Sequence, residues 1–104
     1  MGLSNYIKKV IEQNRKSILS DVPFQDILIH SNSVQILTTD EVKRLKRCDD
    51  HKNAGFEYLE ILNSRDDNDF YKFCEILKEN ESKHIQNIGV QLENAAIQKK
   101  EAQG

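Results

Sequence analysis

Proline is almost missing from this chain: Pro23 is the single one in 104 residues, so only one obligatory helix break is written into the sequence. Tryptophan is absent, methionine occurs once, cysteine twice and glycine four times. Two cysteines, Cys48 and Cys74, do not make the disulfide framework of a small secreted scaffold. Both are read as reduced thiols, and the expected compartment is the cytoplasm. With two of the four glycines at or beside the termini, there is no Walker loop and no glycine-rich nucleotide fingerprint, and no metalloprotease motif is present. No apolar run approaches the length that crosses a bilayer. The opening MGLSNYIKKV lacks the unbroken apolar stretch of a signal peptide. Gly2 begins the loose myristoylation pattern, but Tyr6 stands where Ser or Thr is preferred. An excess of one charge is also missing, with 15 Lys and Arg against 17 Asp and Glu. A sequence-independent nucleic-acid binder usually carries a basic excess, so neither a nucleic acid nor membrane insertion is expected.

What is present is a helical alphabet: 38% apolar and 31% charged residues, enough for one domain with a compact core and a charged exterior. Leu3, Tyr6, Ile7, Val10, Ile11, Asn14 and Ile18 recur at helical spacing and predict a long first helix. Asp21 can cap a second helix whose first turn holds Pro23 and whose inner face carries Phe24, Ile27, Leu28 and Ile29. Ser31-Asn32-Ser33 ends it. Thr38-Thr39-Asp40-Glu41 reads as a capping box, with Leu37 and Val42 as a hydrophobic staple, opening a short third helix to about Arg47 that buries Val42 and Leu45. Asp49 and Asp50 supply a cap for a fourth helix with Gly55, Tyr58, Leu59, Ile61 and Leu62 inward. A polar turn over 63–68 leads to a fifth helix marked by Phe70, Phe73, Cys74 and Leu77. The sixth carries Ile85, Ile88, Gly89 and Leu92. Gln98 to Gly104 is expected to be frayed. No segment shows sustained strand alternation, and no internal repeat is found. Gly55 and Gly89 are read as positions of close helix packing.

The blocks in their order resemble a known family. Phe24-Gln25-Asp26-Ile27-Leu28 followed by Ile36-Leu37-Thr38-Thr39-Asp40-Glu41-Val42 resembles the second and third helices of a caspase recruitment domain. The stretch from Asn53 to Leu62 resembles that family's fourth helix, and Asp69 to Leu77 its fifth. The similarity covers residues 3–93; residues 94–104 are read as a polar tail or linker. Two departures stand out. Arg65-Asp66-Asp67-Asn68 occupies a turn where the family often has glycine, and Tyr58-Leu59 replaces its usual apolar pair. The death and death-effector domains share the fold and are the alternative subfamilies.

The resemblance implies an all-α, six-helix antiparallel Greek-key bundle of the death fold. It implies no enzyme activity and no cofactor, but homotypic docking on another domain of the same kind or on a second copy. It also implies filament assembly and a place in cell-death or innate-immune signalling. In the family a basic surface of the first and fourth helices meets an acidic surface of the second and third. Arg15, Lys16, Lys46, Arg47 and Lys52 match the basic side; Asp26, Asp40 and Glu41 match the acidic side. Glu57, Glu60, Arg65, Asp66 and Asp67 are secondary candidates. The bland alternative for each is a solvated exterior charge, since exposed pairs contribute only about 0–1 kcal/mol. A generic helical scaffold that binds an unrelated helix would instead show an exposed apolar groove.

Cys48 and His51 are spaced like the start of a zinc site. His30, His84 and Cys74 have no matching spacing to complete a tetrahedral set, and Cys74 lies on an apolar stripe. Cys74 is read as core. Met1 looks like a natural start and Gly104 like an arbitrary end.

Overall fold

The computed structural model describes residues 2–103 apart from Asp49; the side chains of His51, Lys52 and Gln103 also lie outside the description. Among the described residues there is no strand. The chain forms α1 (Asn5–Asp21), a 3-10 turn (Phe24–Ile27) running into α2 (Leu28–Ser33), α3 (Thr39–Lys46), α4 (His51–Asn63), α5 (Asp67–Lys78) and α6 (Lys83–Gln103). This is the six-helix, all-helical bundle that the resemblance implies. α6 packs on α1 and α5; α1 also meets α4, and α3 rests on α2 and α4. The radius of gyration, 12.9 Å, matches the roughly 13 Å of a compact 100-residue chain.

The stripes that set the sequence reading face inward. Ile7, Val10, Ile11 and Ile18 of α1 pack with Tyr58, Leu59 and Leu62 of α4 and with Phe70, Phe73, Cys74 and Leu77 of α5 in one core. Ile85, Ile88 and Leu92 of α6 join them. Tyr58 is the aromatic hub, with ring centroids 5.2 Å from Phe24 and 5.4 Å from Phe73. Gly55 and Gly89 sit where a neighbouring element leaves no room for a side chain. A Cβ at Gly55 would lie 2.9 Å from Leu19 and Phe24, and one at Gly89 would lie 2.8 Å from the Cys74 carbonyl oxygen.

The capping box at Thr38 is present in full: the Glu41 N–H donates to the Thr38 hydroxyl at 3.1 Å, and the Thr38 N–H to the Glu41 carboxylate at 2.9 Å. Asp66 and Asp69 form a second one at the start of α5. The turn after α2 is a Schellman closure. The Ile36 N–H reaches the Ser31 carbonyl at 2.9 Å and the Gln35 N–H the Asn32 carbonyl at 3.0 Å, with Gln35 left-handed at φ 70°.

Four expectations are corrected. Asp21 caps nothing: it is the last residue of α1, which closes when the Val22 N–H bonds the Ile18 carbonyl at 3.0 Å. Its carboxylate instead meets His84 at 2.9 Å. Ile29 is not core but 68% exposed, because α2 turns Leu28 and Ser31 inward. Asn14 is half-buried rather than apolar packing, its amide donating to the Val10 carbonyl at 2.8 Å. Residues 98–103 are helix, not frayed chain: α6 is anchored by the fully buried Ala96 and continues through Lys99, Lys100, Glu101 and Ala102, all good helix formers. The expected division at residue 93 falls inside this helix. Of the expected cap for α4, Asp49 lies outside the described residues, and the Asp50 carbonyl accepts from the Ala54 N–H at 3.1 Å.

Candidate interaction surfaces

The candidate charges separate into those that hold the bundle together and those that face solvent. Glu41 belongs to the first group. It serves the capping box of α3 and also accepts from the Arg65 guanidinium, whose Nε donates to the Ile36 carbonyl at 3.0 Å. The side chains of Arg65 and Glu41 are only 27% and 20% exposed. Partial burial works to raise the Glu41 pKa, but the Thr38 N–H and the Arg65 cation outweigh it and hold the carboxyl below its ordinary value. Asp66 is the N-cap of α5. Asp67 accepts from both the backbone N–H and the hydroxyl of Ser4, tying the start of α1 to the start of α5. Three of the five secondary candidates are therefore internal fasteners.

Arg15 lies between the two groups. Its guanidinium stands 5.3 Å over the ring of Phe56 on α4 and 3.9 Å from Glu12. It lines a concavity of about 470 Å³ together with Cys48, Asn53, Phe56, Glu57 and Glu60. Glu57 is paired with Arg44 at 3.3 Å, joining α4 to α3. The face shared by α1 and α4 thus mixes both signs, bringing the secondary candidates Glu57 and Glu60 beside Arg15.

Lys16, Lys46 and Arg47 are exposed, as are Asp26 and Asp40. These five make no side-chain hydrogen bond or ion pair among the described residues. Lys43, also exposed, is one helical turn before Lys46 and Arg47, so these three cations share one side of α3 and its C-terminal end. The side chain of Lys52 lies outside the described residues. Sequence reasoning could find these charges, but not separate them from the fasteners, because Arg65 and Glu41 are 24 positions apart and Ser4 and Asp67 are 63 apart.

Cys74 is fully buried on α5, and burial pushes its thiol well above the usual range. Cys48 is half-buried, its thiol on the Arg44 carbonyl at 3.9 Å. His51 lies outside the described side chains. Among the described residues no helix is long and apolar enough to cross a membrane.

A caspase-2 from Gallus gallus is 22% identical to this chain over 94 residues, which covers 90% of the chain and 22% of that caspase. The chain thus spans about a fifth of the length of the relative it matches. No protein-family model matches it. No solved structure matches it at a significant level.

Proposed function

We propose that this chain is an interaction module of the caspase-recruitment type, which binds another death-fold domain or a second copy of itself and performs no catalysis. The observation that carries the reading is the domain-length similarity to caspase-2: 90% of this chain aligns with 22% of that protein. The six-helix bundle supports it, since it offers a closed core and leaves its chemistry on the surface. The proposed setting is cytoplasmic signalling in cell death or innate immunity.

The contact joins the free cations at the end of α3 to the free carboxylates of the α2–α3 side. Lys46 and Arg47, with Lys16 from α1, form the basic surface; Asp26 and Asp40 form the acidic one. Such opposed patches steer encounter and set the partner's orientation more than they add affinity. Because the two patches differ, each copy keeps one of each free after docking, and the contact extends into a filament unless its rotation closes a ring.

Light scattering across protein and salt concentration tests this. The wild-type chain assembles at low salt. Asp26→Lys/Asp40→Lys and Lys46→Glu/Arg47→Glu each lose the salt-sensitive growth into larger assemblies, and their mixture regains it, since the intact patches and the two reversed ones are each complementary in charge. A wild type whose association, alone and with the aligned segment of caspase-2, is indifferent to salt and to these patch substitutions sinks the reading.

A further inference from the structure

We infer that the outer face of α6 pairs antiparallel with α6 of a second copy of this chain, forming a two-fold dimer separate from the patch-to-patch contact. Between His84 and Gln98 the sole Asp, Glu, Lys or Arg is Glu93, although 31% of the chain is charged. Glu93 is itself occupied, accepting from Lys78 at 3.0 and 3.1 Å. The remainder of the exposed face is Asn, Gln and apolar. It carries Val90 at 44% and Ile97 at 41% exposure, two of the exposed large hydrophobics of the described chain. Asn87, Val90, Gln91 and Asn94 line a shallow concavity of about 700 Å³ there. Depletion of charge around half-exposed apolar side chains marks the centre of an interface rather than ordinary surface.

The register follows from spacing. Lys83, Asn87, Val90, Asn94, Ile97 and Glu101 succeed one another by four, three, four, three and four residues, and all six are exposed. That is the seam of a two-stranded helical pair. A parallel pairing would set Lys83 against the second copy's Lys83 and Glu101 against its Glu101. The antiparallel pairing that opposes Val90 to the second copy's Asn94 also opposes Asn87 to its Ile97 and Lys83 to its Glu101, each twice by symmetry. Both ends are then complementary in charge, and a second copy of the chain is the occupant that supplies this match. The interface is isologous and closes at two. The seam is about 27 Å long at the helical rise per residue. Its two asparagines fix register at a cost in strength, so the dimer is weak.

The inference does not rest on the patch-to-patch reading, because Asp26, Asp40, Lys46 and Arg47 all lie off the seam. The test uses the full chain with Cys48→Ser, which leaves only the buried Cys74, in sedimentation equilibrium up to about 0.5 mM, a range that captures weak association. A reversible dimer is expected in the Asp26→Lys/Asp40→Lys background as well as without it. Val90→Lys/Ile97→Lys lowers association on the order of tenfold or more, with unchanged circular dichroism because both positions are exposed. Lys83→Glu weakens the dimer, and Lys83→Glu/Glu101→Lys restores it. Under mild oxidation, chains bearing Val90→Cys and Asn94→Cys cross-link to each other in preference to themselves. A monomer at every concentration overturns the proposal, as does a dimer indifferent to Val90→Lys/Ile97→Lys, or Val90→Cys chains that cross-link among themselves. Loss of patch-dependent assembly with this dimer retained counts against the proposed function alone.

Discussion

The phenol of Tyr58 on α4 donates to the hydroxyl of Ser31 on α2 at 2.6 Å, inside an otherwise apolar core. The direction is fixed because Ser31 has a single hydroxyl proton and gives it to the Ile27 carbonyl at 2.8 Å. Burial pushes the Tyr58 phenol far above its ordinary range, so it stays protonated and must keep an acceptor. Ser31→Ala therefore strands a buried donor and costs about 1–3 kcal/mol, whereas Tyr58→Phe removes the donor and costs about 0.5–1.5 kcal/mol. The double substitution costs less than the two combined, because the second change no longer strands anything. Urea unfolding of the four proteins checks this; strict additivity would mean that the hydroxyls do not interact.

Glu41 makes stability depend on pH. Its folded pKa lies below the unfolded value, so the ionised carboxylate contributes stability that is complete above the unfolded value of about 4.3. That contribution fades as pH falls through the lower folded value. Glu41→Gln keeps a capping-box side chain but no charge. The variant is less stable than wild type at pH 7, and the gap narrows by pH 3. Arg65→Met, which frees the Ile36 carbonyl and Glu41 together, costs about 1–3 kcal/mol at pH 7. An unchanged urea midpoint for Arg65→Met would remove Arg65 from the fold's fasteners. The same geometry makes Glu41→Lys a poor probe of docking, since loss of folding and loss of the acidic patch coincide there.

Much of this bundle is legible in sequence because helical periodicity is local. The stripes Phe70, Phe73, Cys74, Leu77 and Ile85, Ile88, Leu92 fall in the core, and Thr38 to Glu41 caps α3 as its residue types dictate. Pairings across the fold are not local. Nothing near Arg65 announces Glu41, and nothing near Asp67 announces Ser4. Ile29 is apolar enough for the core, yet α2 turns Leu28 and Ser31 inward and leaves Ile29 in solvent. The end of α6 reads as a tail because its side chains are polar. Only the burial of Ala96 among its neighbours reveals why it stays helical. For the charged candidates the sequence gives identity but not occupation, which depends on the partners the fold brings within reach.

Gly89 on α6 lies hard against the backbone and side chains of α5. Alanine has the better helix propensity, by roughly 1 kcal/mol, and on an open helix face Gly→Ala would stabilise. At this position the added Cβ would stand 2.8 Å from the Cys74 carbonyl oxygen and 2.9 Å from the Leu77 Cβ, neither the far end of a flexible side chain. The helices must separate, so Gly89→Ala is destabilising by about 1–3 kcal/mol in the manner of an overpacked core. A thermal melt at or above the wild-type midpoint would show that α5 and α6 can part freely.

Gln35 offers the opposite case. It occupies the left-handed position that ends α2, at φ 70°, where an L side chain crowds its own backbone and glycine does not. The Schellman bonds around it use only backbone groups, so glycine keeps them all. Its side chain is exposed, and no hydrogen bond of that side chain is lost. Relief of the left-handed conformation is worth about 1–2 kcal/mol, offset by the greater freedom of glycine in the unfolded chain, about 0.4–1 kcal/mol. Gln35→Gly therefore stabilises by up to about 1.6 kcal/mol, seen as a higher urea midpoint with an unchanged slope. Gln35→Val, β-branched at the same backbone angle, moves the midpoint the other way. If glycine lowered the midpoint, the turn after α2 would not be left-handed in solution.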